Sequence, residues 1–239
     1  MALSGACPGT ALAQAATGLR SGLYAVGGAF LGGIVWARYL GPEIARRQAA
    51  LKSPDAKLTV HERAGVSKAA SLLGLETLYV AIIAATMIRT APDSPATFVP
   101  VVGGLFIGLA QLFSLLTRKS LVGVSGAYED AGKQFWSLVR GTGAGSKASS
   151  YNNILFAVGI VAGAWGLTTA SPSLLSRSST SVSPLTATVG GILLTVGARM
   201  AGGCSSGHGL SGMSLFSISS FITMAAAFAG GIPVARLVF

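Results

Sequence analysis

Two thiols lie in segments made largely of glycine and small polar residues, and these segments carry most of the chemistry the chain can offer. Cys7 sits in Leu3–Thr10 (LSGACPGT) and Cys204 in Met200–Gly212 (MAGGCSSGHGLSG). A third stretch, Leu121–Gly132 (LVGVSGAYEDAG), too glycine-rich for an ordinary helix, has Ser125 in the analogous small-polar place, with Tyr128, Glu129 and Asp130 beyond it. A thiol can act as a soft donor, a nucleophile, a metal ligand or half of a disulfide. Around Cys204, Gly202, Gly203, Gly207 and Gly209 remove side-chain bulk, while Ser205, Ser206 and His208 supply polar groups. If helix follows Cys204, His208 lies one turn on, on the same face. Cys7 precedes Pro8, which suits the first turn of a helix, so Cys7 falls near an N-cap at the positive end of the helix dipole.

Each of these residues has a plainer explanation. A lone membrane cysteine usually packs as a small residue, and a histidine in a glycine-rich break can serve only to fix a helix end. A Cys7–Cys204 disulfide stays open, although two cysteines are too few for a disulfide framework. Cys204 and His208 also have the spacing of two metal ligands. Zinc takes about four ligands from Cys, His or carboxylates, and the remaining residues of those kinds near the proposed pathway are Cys7, Glu76, Glu129 and Asp130. No metal and no cofactor are therefore expected. The Gly-Lys-Ser/Thr phosphate loop is absent.

The elements that position these groups are set by the solvent. Hydrophobic residues make up 51% of the chain and charged residues 10%, against roughly 25% charged in soluble domains. So little charge cannot cover a water-facing surface, and segments of about 20 apolar residues, enough to cross a bilayer, recur along the chain. The reading is an all-α, polytopic membrane helical bundle forming a single transmembrane transport domain over 1–239. Spans are expected at about 21–40, 69–88, 98–116, 152–170, 185–201 and 215–234. Glycine pairs four apart, Gly28/Gly32, Gly104/Gly108 and Gly159/Gly163, are spaced for close helix packing. Glu76 lies inside a span and needs protein or water around it, with a membrane arginine such as Arg199 as its expected partner. Glu129 and Asp130 are expected at an aqueous mouth.

The net charge of +10 does not imply nucleic acid, because the basic residues lie between spans. The polar loop Gly41–Lys68 and the mixed segment Thr117–Ser150 are rich in Lys and Arg; Arg89–Thr97 and Ser171–Pro184, which carries only Arg177, are not. Alternation of the spans then places both basic segments on the cytoplasmic side. The start resembles no signal peptide, and because the chain opens inside a motif an upstream segment is expected to be missing.

The chain also repeats itself. Val102-Gly103-Gly104-Leu105 opens a span leading to Gly123–Tyr128, and Val189-Gly190-Gly191-Ile192 opens one leading to Gly203–His208. Ala2–Gly18 reads as the tail of another such unit. Irregular backbone survives at membrane depth only where it is buried in protein or lines a wet cavity. The expectation is re-entrant half-helices at about 2–18, 120–134 and 202–213, their N-termini turned inward to suit an anion. Interrupted segments in repeated units are the sequence pointer to a transporter's binding site.

At Leu3–Thr10, Gly123–Glu129 and Gly197–Gly212 the chain resembles the YeeE/YedE family of sulfur transporters, the last motif being the most specific. The resemblance extends over most of the chain. It implies thiosulfate import across the plasma membrane by a non-enzymatic helical protein with repeated halves, using cysteines along a central path. Cys7 and Cys204 occupy two such positions; a third cysteine found in the family has no counterpart here. The expected pathway residues are Cys7, Pro8, Gly9, Thr10, Ser125, Tyr128, Cys204, Ser205, Ser206 and His208, and the expected partners are a thiosulfate-like anion and the lipid bilayer. Two other classes compete: a membrane sulfurtransferase with Cys204 as nucleophile and His208 as base, and a non-transporting accessory subunit.

Overall fold

The computed structural model describes residues 1–51, 59–89, 95–121, 123–141, 151–170 and 182–238. Lys52, Lys57, Pro92, Lys147, Arg177 and most of the expected Ser/Pro-rich connection lie outside the described residues. Helix dominates: α1 is Pro8–Ala16, α2 Arg20–Val35, α3 Gly41–Leu51, α4 Val60–Ala64 and α5 Lys68–Arg89. They are followed by α6 Pro95–Arg118, α7 Ser125–Val139, α8 Tyr151–Ala170, α9 Pro184–Met200 and α10 Ile218–Val238. Extended pairing among the described residues is confined to an isolated bridge between Thr59 and Ser217.

Among the described residues, four helical stretches are long and apolar enough to cross a membrane: Arg20–Arg47, α5, α8 and α10. Twenty residues at 1.5 Å rise span about 30 Å. Val102–Thr117 of α6 and all of α9 are shorter apolar pieces. Large apolar side chains such as Leu73, Val80, Ile88, Phe106 and Phe113 stand exposed along α5 and α6, as on a lipid-facing surface. The architecture is an all-α, multi-pass membrane bundle.

Its centre is the packing of α2 against α9 and α7. A Cβ at Gly28 would collide with the Thr188 carbonyl, one at Gly32 would press on Ile192 and Thr195, and one at Gly191 would meet the Ala25 carbonyl. Because 28 meets 188 and 32 meets 192, α2 and α9 run in parallel. The short α1 folds back on the start of α2, where Gly22 abuts Gln14 and Ala15, so it runs antiparallel to α2. The turn between them places Gly18 at φ +81°, a conformation that favours glycine. α7 crosses α2 where Gly132 meets the Gly33 carbonyl, and it proceeds in the direction of α2: Trp136 donates to the Ile34 carbonyl at 3.0 Å and stacks edge-on against Tyr39.

Three expectations are corrected. The segment Gly41–Lys68 is not simply a loop. A π-helical turn, Trp36–Leu40, carries α2 straight into α3, whose Ala, Arg, Glu and Gln content favours helix and whose Arg47 pairs with Glu43 one turn away at 3.0 Å. Leu121–Gly132, read as too glycine-rich for an ordinary helix, enters the regular α7, because Gly126 and Gly132 mark close approaches to Asn153 and Gly33 rather than breaks. The pairs Gly104/Gly108 and Gly159/Gly163 have nothing within 4 Å of a built Cβ among the described residues, unlike Gly28 and Gly32. Spacing alone marks permission for close packing, and only an opposing helix makes use of it.

Candidate functional site

Cys7 caps α1. Its backbone is extended (φ −83°, ψ 168°), and Pro8, at the first helical position, lacks the N–H that would otherwise go unpaired there. Its sulfur accepts from the Thr10 amide at 3.3 Å and from the Thr10 hydroxyl at 2.6 Å. The Thr10 oxygen in turn accepts from the Cys7 amide at 3.1 Å. This reciprocal arrangement is a capping box with sulfur in the place usually held by a serine or threonine oxygen. The loop before it is held by Ser4, only 1% exposed, which donates to the Ala6 carbonyl at 2.9 Å and packs its backbone against Gly190.

Cys204, 4% exposed, lies just past the end of α9. Its sulfur is 3.0 Å from the Ser206 hydroxyl. The backbone amides of Gly207, Ser125 and Val124 also face that sulfur. Ser125 opens α7, so the N-terminal end of that helix points at a thiol contributed by another motif. Tyr128, one turn into α7 and 5% exposed, lies within electrostatic range of both thiols and donates to the Pro8 carbonyl at 2.9 Å. Gly9 completes the seam by letting Val124 pack against α1. The three motifs therefore meet at one place, where α1 and α7 start close together and run in opposite directions. Both cysteines are free thiols, so the disulfide left open by the sequence is not formed.

His208 is tied to the end of α9 and to α10. The residues after Cys204 form a π-helical turn, Ser206–Gly212, and the imidazole reaches back across it. Its Nε2 lies 3.1 Å from the Ala201 carbonyl, which can only accept, and its Nδ1 lies 2.9 Å from the Ser220 hydroxyl. Both ring nitrogens are thus engaged, and among the described residues no hydrogen bond joins the imidazole to the Cys204 thiol. It staples the end of α9 to the start of α10. A cavity of about 730 Å³ opens between α9, α10 and the N-terminal segment, and Pro8, Cys204, Ser205 and His208 are among its walls. Groups of three or more His, Cys, Asp or Glu able to hold a metal are absent among the described residues.

The charged groups fall differently from expectation. Arg199 pairs with Glu129 rather than Glu76, and Glu129 also meets Lys133 at 2.6 Å. Glu76 sits on an exposed face of α5. Asp130 is buried, not at a mouth; it accepts from Asn153 at 2.8 Å. Sequence reasoning did not find the Glu129–Arg199 pair, although the i, i+4 spacing of Glu129 and Lys133 already marked one end of it.

The site defines a class of protein: a multi-pass helical membrane protein in which two helices start side by side at a pair of free thiols. A family model described as Sulphur transport matches residues 1–232. Over 136 residues the chain is 32% identical to a "Probable transporter" of Xylella fastidiosa (strain Temecula1 / ATCC 700964), covering 57% of this chain and 90% of that protein. A protein of the same printed name from Xylella fastidiosa (strain 9a5c) is 31% identical with the same coverage. The chain belongs to the Sulphur transport family, in agreement with the resemblance of its three motifs.

Proposed function

We propose that the protein is a membrane transporter that takes up thiosulfate, or a closely related small sulfur anion, along a path lined by Cys7, Tyr128 and Cys204. The carrying observation is the convergence of the Val124, Ser125 and Gly207 amides on the Cys204 sulfur. A dehydrated anion arriving there exchanges water for backbone N–H groups, the positive ends of two helix dipoles and the hydroxyls of Thr10 and Ser206. The thiols of Cys7 and Cys204 add soft, weak contacts to a terminal sulfur. Each contact is modest, as passage requires, since a tight site would stall release. The relatives named as probable transporters support transport as the class. The hydrogen bonds of His208 to Ala201 and Ser220 favour a positioning role over that of a general base, which weighs against a sulfurtransferase.

The test is uptake of labelled thiosulfate into liposomes containing only this protein. Wild-type protein accumulates label, excess unlabelled thiosulfate competes, and Cys204→Ala removes most of the uptake at equal expression. Unchanged uptake in Cys204→Ala overturns the cysteine-lined path, and no uptake by well-folded wild type overturns the substrate.

A further inference from the structure

Immediately after Tyr128, α7 carries a compact group of charges that the thiol site does not use. Glu129, 14% exposed at its side chain, meets the Arg199 guanidinium and the Lys133 ammonium together. All three line a second cavity of about 370 Å³, closed on its other side by Trp36, Gly41 and Pro42 at the π-helical turn joining α2 to α3. This cavity therefore lies toward the end of the bundle that carries α3, with its Arg46 and Arg47, whereas α1 runs from the thiols toward the opposite end.

Arg199 and Lys133 face two carboxylates here, but unequally: Glu129 meets both cations closely, whereas Asp130 approaches Lys133 at 3.9 Å and also accepts from Asn153. The Arg199 Nε–H is buried with no acceptor, though a buried guanidinium donor normally finds one. The Glu129 Oε2 is likewise buried without an aligned hydrogen bond, so both partners of the pair keep unused capacity in a space that they line.

We propose that Arg199 and Lys133 form a second anion station, with Glu129 as an internal stand-in for the anion. The proposal rests on the transport reading above and names where a divalent sulfur oxyanion goes after the thiol constriction. In the empty state Glu129 neutralises part of the cationic pair. An arriving dianion takes over donors from Arg199 and Lys133 and displaces the carboxylate, whose return then pushes the anion off. A fixed pair of cations without Glu129 would retain a dianion; uncharged donors alone would offer it little after it leaves the amides of α7. Exchange with an internal competitor makes binding here both adequate and brief.

Trp36 lines this cavity, so tryptophan emission of the purified full chain, titrated with sodium thiosulfate at constant ionic strength set with chloride, reads the station without requiring transport. Wild type is expected to give a saturable change. Arg199→Gln and Lys133→Gln each raise the half-saturating concentration roughly tenfold, Arg199→Lys much less, and Glu129→Gln lowers it while slowing uptake into liposomes. A merely structural ion pair moves Arg199→Gln and Glu129→Gln in the same direction, with Glu129→Gln/Arg199→Gln restoring stability; that pattern, or a flat wild-type titration, overturns the station. Cysteine-dependent uptake with a flat titration sinks this inference alone. The charge-dependent titration without any uptake sinks the transport reading and leaves the station standing.

Discussion

The Tyr128 hydroxyl donates to the Pro8 carbonyl oxygen at 2.9 Å, and this bond joins the first turn of α7 to the first residue of α1. Two helices separated by more than a hundred residues are thereby fixed in register, N-terminus beside N-terminus. Their thiol and amide groups converge because this seam holds. The ring below the hydroxyl packs with Leu12, Ala29 and Val124, so Tyr128→Phe removes only the bond, worth about 1 kcal/mol. Expression and helix content should stay normal, and labelled-thiosulfate uptake should fall roughly fivefold. Full uptake would show that the register does not depend on this bond.

Cys7 has two roles that substitution separates. Serine is a good N-cap and alanine a poor one, a difference of about 1 kcal/mol. Cys7→Ser should therefore keep the thermal stability of the detergent-solubilised protein, while Cys7→Ala lowers it. Uptake should fall in both, because neither carries a thiol. Wild-type uptake by Cys7→Ser would reduce Cys7 to a helix cap.

The glycines on the α2–α9 seam differ from those facing outward. Gly28→Ala and Gly191→Ala drive a Cβ into opposing backbone carbonyls, and overpacking of this kind costs about 1–3 kcal/mol. Gly104→Ala and Gly159→Ala meet nothing within 4 Å and should be neutral or slightly stabilising through better helix propensity. Melting curves in a single detergent compare all four. A seam substitution as harmless as an outward one would contradict the close approach.

His208 stabilises the loop that presents Cys204, through Ser220 and Ala201. Ser220→Ala should weaken uptake and lower thermal stability together. Intact-protein mass spectrometry after turnover with thiosulfate should find no added sulfur on Cys204. A persulfide accumulating there, and lost in His208→Ala, would instead establish covalent sulfur transfer.

The membrane class, the helical content and the three motifs were legible in the chain because they depend on local quantities: apolar run length, glycine density and the Cys7–Pro8 adjacency that dictates an N-cap. Gly28 and Gly32 were recognised as packing positions for the same reason, yet Gly104, Gly108, Gly159 and Gly163 carried an identical signal without an opposing helix among the described residues. The partner of Arg199 was misassigned to Glu76 since a buried charge announces that it needs a counter-ion without saying which one. That choice belongs to α7, whose arrival beside α9 sets Glu129 against the guanidinium. Likewise, Cys204, Ser206 and Gly207 are neighbours in the chain, but the Val124 and Ser125 amides reach that sulfur only through the long-range packing of α2 with α7 and α9. The sequence by itself determined the solvent, the helices and the chemical groups available. Only the tertiary structure decided which groups face one another, because backbone approach at Gly33, Gly132 and Gly191 is a property of pairs of helices and not of either one alone.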